Sequence, residues 1–149
     1  MSFTVLIADD EELERRALRR ILGTMEELID IVEAANGRQA IETARDSQPD
    51  LALLDIRMPG VDGIAAAREL KSVSPRTRCV FVTAFESFDY AREAMRLGAD
   101  EYLLKPAEPD AVKATVLRAI ERQRQERNEI ELKRQADEDG ERARALLER

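Results

Sequence analysis

Histidine is absent from the 149-residue chain. Ser-His and Cys-His nucleophile pairs, His-ligated metals and a phosphohistidine donor are therefore excluded. Any phosphoryl chemistry must use a carboxylate as acceptor. Cysteine occurs once, at Cys79, which rules out an internal disulfide and leaves no cluster for zinc. A reducing cytoplasm is the natural compartment for such a chain. No apolar run is long enough to suggest a membrane helix. Met1-Ser2-Phe3-Thr4 leads into strand-like sequence without the basic start of a signal peptide. A net charge of -7 argues against direct binding of nucleic acid by this segment.

What is present suits one ordinary domain with an appendage. The chain is 44% hydrophobic and 37% charged, which implies a packed core under a strongly charged exterior. From Pro109 onward there are ten acidic and ten basic residues, so the whole negative excess lies in residues 1–108. The expected organisation is a domain over 1–120 followed by a charged helical extension over 121–149.

The central stretch is Leu51-Ala52-Leu53-Leu54-Asp55-Ile56-Arg57-Met58-Pro59-Gly60. Its unbroken apolar run suits a strand buried on both faces of a parallel sheet. The Pro-Gly turn leaves Asp55 at the strand's carboxyl end, where open α/β sheets bind ligands. Alone, Asp55 reads equally as a cap or as a reactive group.

In chain order, Thr4–Ala8 reads as a first strand ending in Asp9-Asp10-Glu11-Glu12. An amphipathic helix follows, with Leu13, Ala17, Ile21 and Met25 expected to face inward and Asp10 as its N-cap. Ile29–Ala34 alternates like an edge strand. Arg38–Ser47 forms a helix after the Asn36-Gly37 turn, with Ala40, Ile41 and Ala44 inward. Gly63–Ser72 gives a third helix on Ile64, Ala67 and Leu70. Cys79–Val82 is a fourth strand ending in Thr83-Ala84. Phe88–Leu97 is a fourth helix capped by Gly98, and Glu101–Leu104 a fifth strand ending in Lys105-Pro106. This pattern predicts an α/β fold: a flavodoxin-like, doubly wound, five-stranded parallel sheet in the order 2-1-3-4-5, with five helices, the last extended.

That order brings Asp9, Asp10 and Asp55 to one edge, with Thr83 and Lys105 entering from the other side. Each residue has an ordinary alternative as a helix cap, strand-end hydroxyl or surface lysine. Five of them at one sheet edge favour a functional reading. Three neighbouring carboxylates repel unless a cation offsets them, and an oxygen donor set is what magnesium prefers. One carboxylate can then attack phosphorus and form an aspartyl phosphate, with Lys105 balancing the transferred oxygens.

The set Asp9-Asp10, Asp55 within Asp-Ile-Arg-Met-Pro-Gly-Val-Asp-Gly, Thr83-Ala84 and Lys105-Pro106 resembles the receiver domain of two-component response regulators. The resemblance implies a switch that accepts a phosphoryl group from a sensor histidine kinase on Asp55. It implies Mg2+ held by Asp10, Asp55 and the backbone carbonyl of Arg57, with Asp9 acting through water. Lys105 would contact the phosphoryl group beside a cis peptide bond to Pro106. Thr83 and Ala84 would engage the phosphoryl group, and Tyr102 would turn inward as Thr83 moves. The face made by the fourth helix, fifth strand and fifth helix would then change shape. Arg57 and Phe85 flank the site and would tune the lifetime of the phosphoryl group.

The last helix begins near Pro109, with Val112, Val116, Ala119 and Ile120 as its apolar stripe. Its continuation to Gln135 carries no sustained heptad, so a linker is expected ahead of a dimer zipper. Gly140 is expected to break it, and residues 141–149 to start another helix. Ile-Ala-Asp-Asp-Glu and Phe-Glu-Ser-Phe-Asp-Tyr-Ala are most similar to receivers joined to AraC-type DNA-binding domains. That similarity implies transcriptional output, a chain cut before its output domain, and homodimer formation through the switching face or the C-terminal helix. A stand-alone receiver that acts by docking is the first alternative. A magnesium-dependent aspartyl-phosphate phosphatase is disfavoured, because Arg57 stands where such enzymes need a second carboxylate. The chain is therefore expected to signal rather than to act as a metabolic enzyme.

Overall fold

A computed structural model describes residues 2–84, 88–96 and 100–148. The expected positions of Phe85, Leu97 and Gly98 lie outside the described residues. Five strands, β1 (Phe3–Ala8), β2 (Ile29–Ala34), β3 (Leu51–Leu54), β4 (Arg78–Thr83) and β5 (Glu101–Leu104), alternate with five helices. The helices are α1 (Glu12–Gly23), α2 (Gly37–Ser47), α3 (Gly63–Val73), α4 (Phe88–Arg96) and α5 (Pro109–Leu147). The sheet is parallel throughout, in the order β2-β1-β3-β4-β5, the doubly wound arrangement expected from the sequence. The chain divides into two compact units, Met1–Val116 and Leu117–Arg149.

In the first unit the central strands are buried along their length because both faces carry helices. All four residues of β3 are buried, as are five of the six in β1. The edge strands differ: β2 exposes Asp30 and Glu33 and buries only Ala34 fully, without the strict alternation expected from the sequence, and β5 has no fully buried residue. Charged residues on an edge strand also discourage pairing with another chain. Leu6, Leu54, Phe81 and Leu70 belong to the core cluster, against which Tyr102 packs partly buried.

Helix boundaries follow local chemistry. Asn36 caps α2 by accepting a hydrogen bond from the Gln39 amide, and Asp62 caps α3 by accepting from the Ala65 amide. Ala40, Ala44, Ala67 and Leu70 face inward as expected, with Ile41 and Ile64 partly buried.

Helix α1 corrects the sequence reading. Its buried residues are Leu18, Ile21 and Leu22, whereas Leu13 is 74% exposed and Ala17 also lies outside the core. A four-residue spacing drifts around a helix that turns every 3.6 residues, and the drift carries Ala17 and Leu13 off the face that Leu18, Ile21 and Leu22 bury. Nor does Asp10 cap α1. Glu11 holds the cap position without a side-chain bond.

Helix α5 starts in the first unit and runs through the second to Leu147, without a break at Gly140. One glycine costs a helix interior about 1 kcal/mol relative to alanine, too little to end a helix so long. The stripe residues Val112, Val116, Ala119 and Ile120 are all buried, while every side chain from Arg124 to Glu148 is exposed.

Candidate functional site

Register explains how the acidic residues meet. Ala8 pairs with Leu54, so the residues that follow, Asp9 and Asp55, emerge side by side from β1 and β3. The Asp55 amide extends this ladder, donating to the Ala8 carbonyl at 2.8 Å. Leu54 pairs with Phe81 and Thr83 with Leu104, which puts Thr83 and Lys105 at the same edge. The Lys105 amide donates to the Thr83 carbonyl at 2.8 Å, and the Lys105–Pro106 peptide bond is cis.

One carboxylate oxygen from each of Asp9, Asp10 and Asp55 lies within 4.8 Å of the others. Asp9 and Asp55 are buried and Asp10 is exposed. Lys105 reaches into this group, its ammonium 2.8 Å from Asp9 and 3.5 Å from Asp55. Burial, reinforced by the charges of Asp9 and Asp10 and opposed by Lys105, pushes the Asp55 carboxyl up to about 6. Burial alone would lower the Lys105 ammonium, but its hydrogen bond to Asp9 and the charges of Asp55 and Asp9 hold it above its ordinary value. Lys105 therefore stays charged.

The loop from Asp55 to Asp62 is fixed by two glycines. Gly60 adopts a φ of 77°, in the left-handed region that glycine enters without strain. At Gly63 a Cβ would meet the Asp55 carbonyl oxygen at 2.1 Å, so only glycine lets α3 start against the end of β3. Ile56 and Met58 are buried in this loop, whereas Arg57 is exposed between them.

The remaining expected site residues are distributed around this edge. Thr83 is fully buried and its hydroxyl donates to the Ala84 carbonyl at 3.3 Å. Ala84 is half-buried, Tyr102 partly buried on β5, and Pro106 exposed. The lone Cys79 is buried, and burial pushes its thiol up to about 12, so it is held as an inert thiol.

The fold, the acid-lined edge and the lysine opposite it agree with what comparison finds. The response regulator receiver domain family matches residues 5–117. The chain belongs to that family. The receiver is 42% identical over 107 residues to the regulatory protein LuxO of Vibrio cholerae, a match covering 72% of this chain and 24% of LuxO. It is 39% identical over 119 residues to the regulatory protein AtoC of Escherichia coli, covering 80% of this chain and 25% of AtoC. The chain thus spans about a quarter of the length of these curated relatives. Among solved structures it resembles the REC domain of AraT, a response regulator from Geobacillus stearothermophilus. That likeness has 34% identity and a TM-score of 0.75 over 85% of this chain and 99% of that one.

The receiver's donor set suits a hard divalent cation. Three carboxylates face one another, and Lys105 supplies a single positive charge against them. A magnesium ion would take these oxygen ligands and offset the mutual repulsion of the three carboxylates. No helix of the described residues is long and apolar enough to cross a membrane.

Two contributors to the site escaped the sequence reading. The sequence marks Gly63 only as the first residue of the third helix, with no sign of its close approach to the end of β3. Arg15, to which the sequence reading gave no role, donates to the Asp9 carbonyl oxygen at 2.8 Å. No local pattern marks a contact six residues apart that depends on how the strand feeds the helix.

Proposed function

We propose that the chain is a phosphorylation-activated switch of a two-component system, with Asp55 as the residue that accepts the phosphoryl group. The observation that carries this reading is the convergence of Asp9, Asp10 and Asp55 within 4.8 Å, with Lys105 pointing into them from β5. Three carboxylates and one lysine are a poor structural core but a suitable phosphoryl acceptor site.

In this reading Asp10, Asp55 and the Arg57 backbone carbonyl, with Asp9 through water, would hold Mg2+, which would supply positive charge to offset the transferred oxygens. An oxygen of Asp55 attacks phosphorus, the bond from phosphorus to the donor imidazole of a histidine kinase breaks, and an acyl phosphate forms on Asp55. Lys105 turns its ammonium from Asp9 and Asp55 toward the phosphoryl oxygens. The Thr83 hydroxyl, whose one bond among the described residues is the long one to the Ala84 carbonyl, exchanges it for a phosphoryl oxygen, and the Ala84 backbone follows. Tyr102, partly buried on the adjacent strand, turns into the space vacated. The face formed by α4, β5 and the start of α5 is thereby the two-state element that the charge event biases.

The output is proposed to be transcriptional, through an AraC-type domain or a partner protein coupled by the charged C-terminal part of α5. Transcriptional regulatory proteins among the relatives support that direction, one being LnrK of Bacillus subtilis at 34% identity over 113 residues, 76% of this chain and 51% of LnrK. A cytoplasmic location follows from the kinase partner, and pairing of two chains through the switching face or the helix completes the proposal. The chain's chemistry is confined to gaining and losing its own phosphoryl group.

The test is transfer from an autophosphorylated cognate histidine kinase to the purified chain. Label passing to the wild type in Mg2+ but not to Asp55→Ala supports the reading. Equal labelling of both proteins contradicts it.

A further inference from the structure

The Asp10 carboxylate has no hydrogen-bond or ion-pair partner among the described residues, yet it lies with Asp9 and Asp55 inside a 4.8 Å cluster. Its position must therefore come from its backbone. Resting on the metal reading proposed above, we infer that Arg15 is a positioning residue that fixes the Asp9–Asp10 peptide and so aims Asp10 at the cation site.

The peptide is held in a closed ring of three hydrogen bonds. The Glu11 amide donates to Asp9 Oδ1 at 2.9 Å. The Arg15 amide donates to the Glu11 carbonyl at 3.2 Å as the first bond of α1. Arg15 Nη1 then returns to the Asp9 carbonyl oxygen at 2.8 Å. On the other side of the residue, the Asp9 amide donates to the Ala34 carbonyl at 3.1 Å. Both polar atoms of the Asp9 backbone are thus occupied, and the peptide plane leading to Asp10 is fixed.

Arg15 is itself restrained. Its side chain is only 17% exposed, and its Nε lies 3.4 Å from Glu33 Oε1 on edge strand β2. Glu33 also pairs with Arg19, one helical turn further along α1. Two arginines on one helix therefore grip one carboxylate on the neighbouring strand, and the nearer one reaches past it to the site. A planar guanidinium is suited to this, because its fork can donate to a carbonyl and a carboxylate together.

Charge and position make opposite demands here. Arg15 is a cation near an acidic cluster, so charge alone would make its loss strengthen Mg2+ binding. If it acts by placing Asp10, its loss weakens binding. Outer-shell groups that orient metal ligands typically change affinity by about 10–100-fold when removed.

The experiment is calorimetric titration of the full chain with Mg2+ alone, for wild type, Arg15→Ala, Arg15→Lys and Glu33→Gln. Arg15→Ala is expected to weaken Mg2+ binding about tenfold. Arg15→Lys recovers part of this loss, because an ammonium can still donate to the Asp9 carbonyl, and Glu33→Gln weakens binding by less than Arg15→Ala. With acetyl phosphate as donor, the half-saturating Mg2+ concentration should rise by the same factor while the rate at saturating Mg2+ holds. Unchanged or tighter Mg2+ binding in folded Arg15→Ala, accompanied only by a lower Tm, overturns the inference. If Arg15→Ala does not fold, wild-type Mg2+ affinity in both Arg15→Lys and Glu33→Gln overturns it equally. A wild-type chain that binds no Mg2+ would instead defeat the metal reading itself, so the two failures are separable.

Discussion

Lys105 sits closer to Asp9 than to Asp55, at 2.8 Å against 3.5 Å. The Lys105 ammonium is therefore held mainly by Asp9, the neighbour of the proposed acceptor. In the proposed switch, phosphorylation of Asp55 would trade the Lys105–Asp9 bond for a bond to phosphate. Lys105→Met is expected to slow phosphorylation of Asp55 by about 100-fold, the scale of losing one electrostatic stabiliser. It should also raise the Asp55 carboxyl further above about 6, since Lys105 is the charge that lowers it. Carboxyl-carbon NMR titration in magnesium-free buffer reads the second effect. An Asp55 titration that shifts downward in the variant contradicts the arrangement.

Without a cation, Asp55 should weaken the fold at neutral pH. Its carboxyl titrates at about 6 in the folded chain against an ordinary value of 3.8. Between those values the folded state binds more protons than the unfolded one, so stability falls as pH rises through about 6. Asp55→Asn is therefore expected to stabilise the magnesium-free protein at pH 7 by up to roughly 2–3 kcal/mol, with the advantage lost toward pH 4. Urea unfolding in EDTA at both pH values measures this. A variant less stable than wild type at pH 7 rejects it.

Gly63 and Gly140 make opposite predictions for the same substitution. A Cβ at Gly63 meets the Asp55 carbonyl at 2.1 Å, and backbone cannot swing aside as a flexible side chain would. Gly63→Ala should cost about 1–3 kcal/mol or more and slow phosphorylation by displacing the end of β3. At Gly140 nothing lies within 4 Å. Gly140→Ala should stabilise α5 locally by about 0.5–1 kcal/mol, visible as added helix signal in circular dichroism.

The extension of α5 should respond to acid through its ion pairs. Arg134 pairs with both Glu131 and Glu138, and its hydrogen bond and charge hold the Glu131 carboxyl below its ordinary value. A depressed carboxylate contributes support above its unfolded pKa and loses it as pH falls through the folded one. Helix signal should therefore decline below about pH 4.5, and Arg134→Ala should remove part of that decline. These pairs lie in solvent, so added salt should weaken the same contribution at neutral pH.

The five strands and their order were legible because each central strand is a continuous apolar run closed by a polar residue. The acidic edge was legible for the same reason, since a parallel sheet collects strand ends. The misses are finer. Leu13 and Ala17 do not face the core because a four-residue repeat is not the period of a helix. Gly140 does not stop α5 because the helix-favouring residues around it outweigh one unfavourable local propensity. Arg15 and Glu33 were invisible as a pair, because their meeting depends on the register of β1 with β2.

The proposed switch depends on Asp55 accepting a phosphoryl group with the help of a divalent cation. The most direct measurement is intact mass after incubation with acetyl phosphate, for wild type and Asp55→Ala, in Mg2+ and in EDTA. The expected result is one added phosphoryl group on the wild type in Mg2+, and none on Asp55→Ala or in EDTA. The same gain on Asp55→Ala would place the chemistry elsewhere in the chain and contradict the claim.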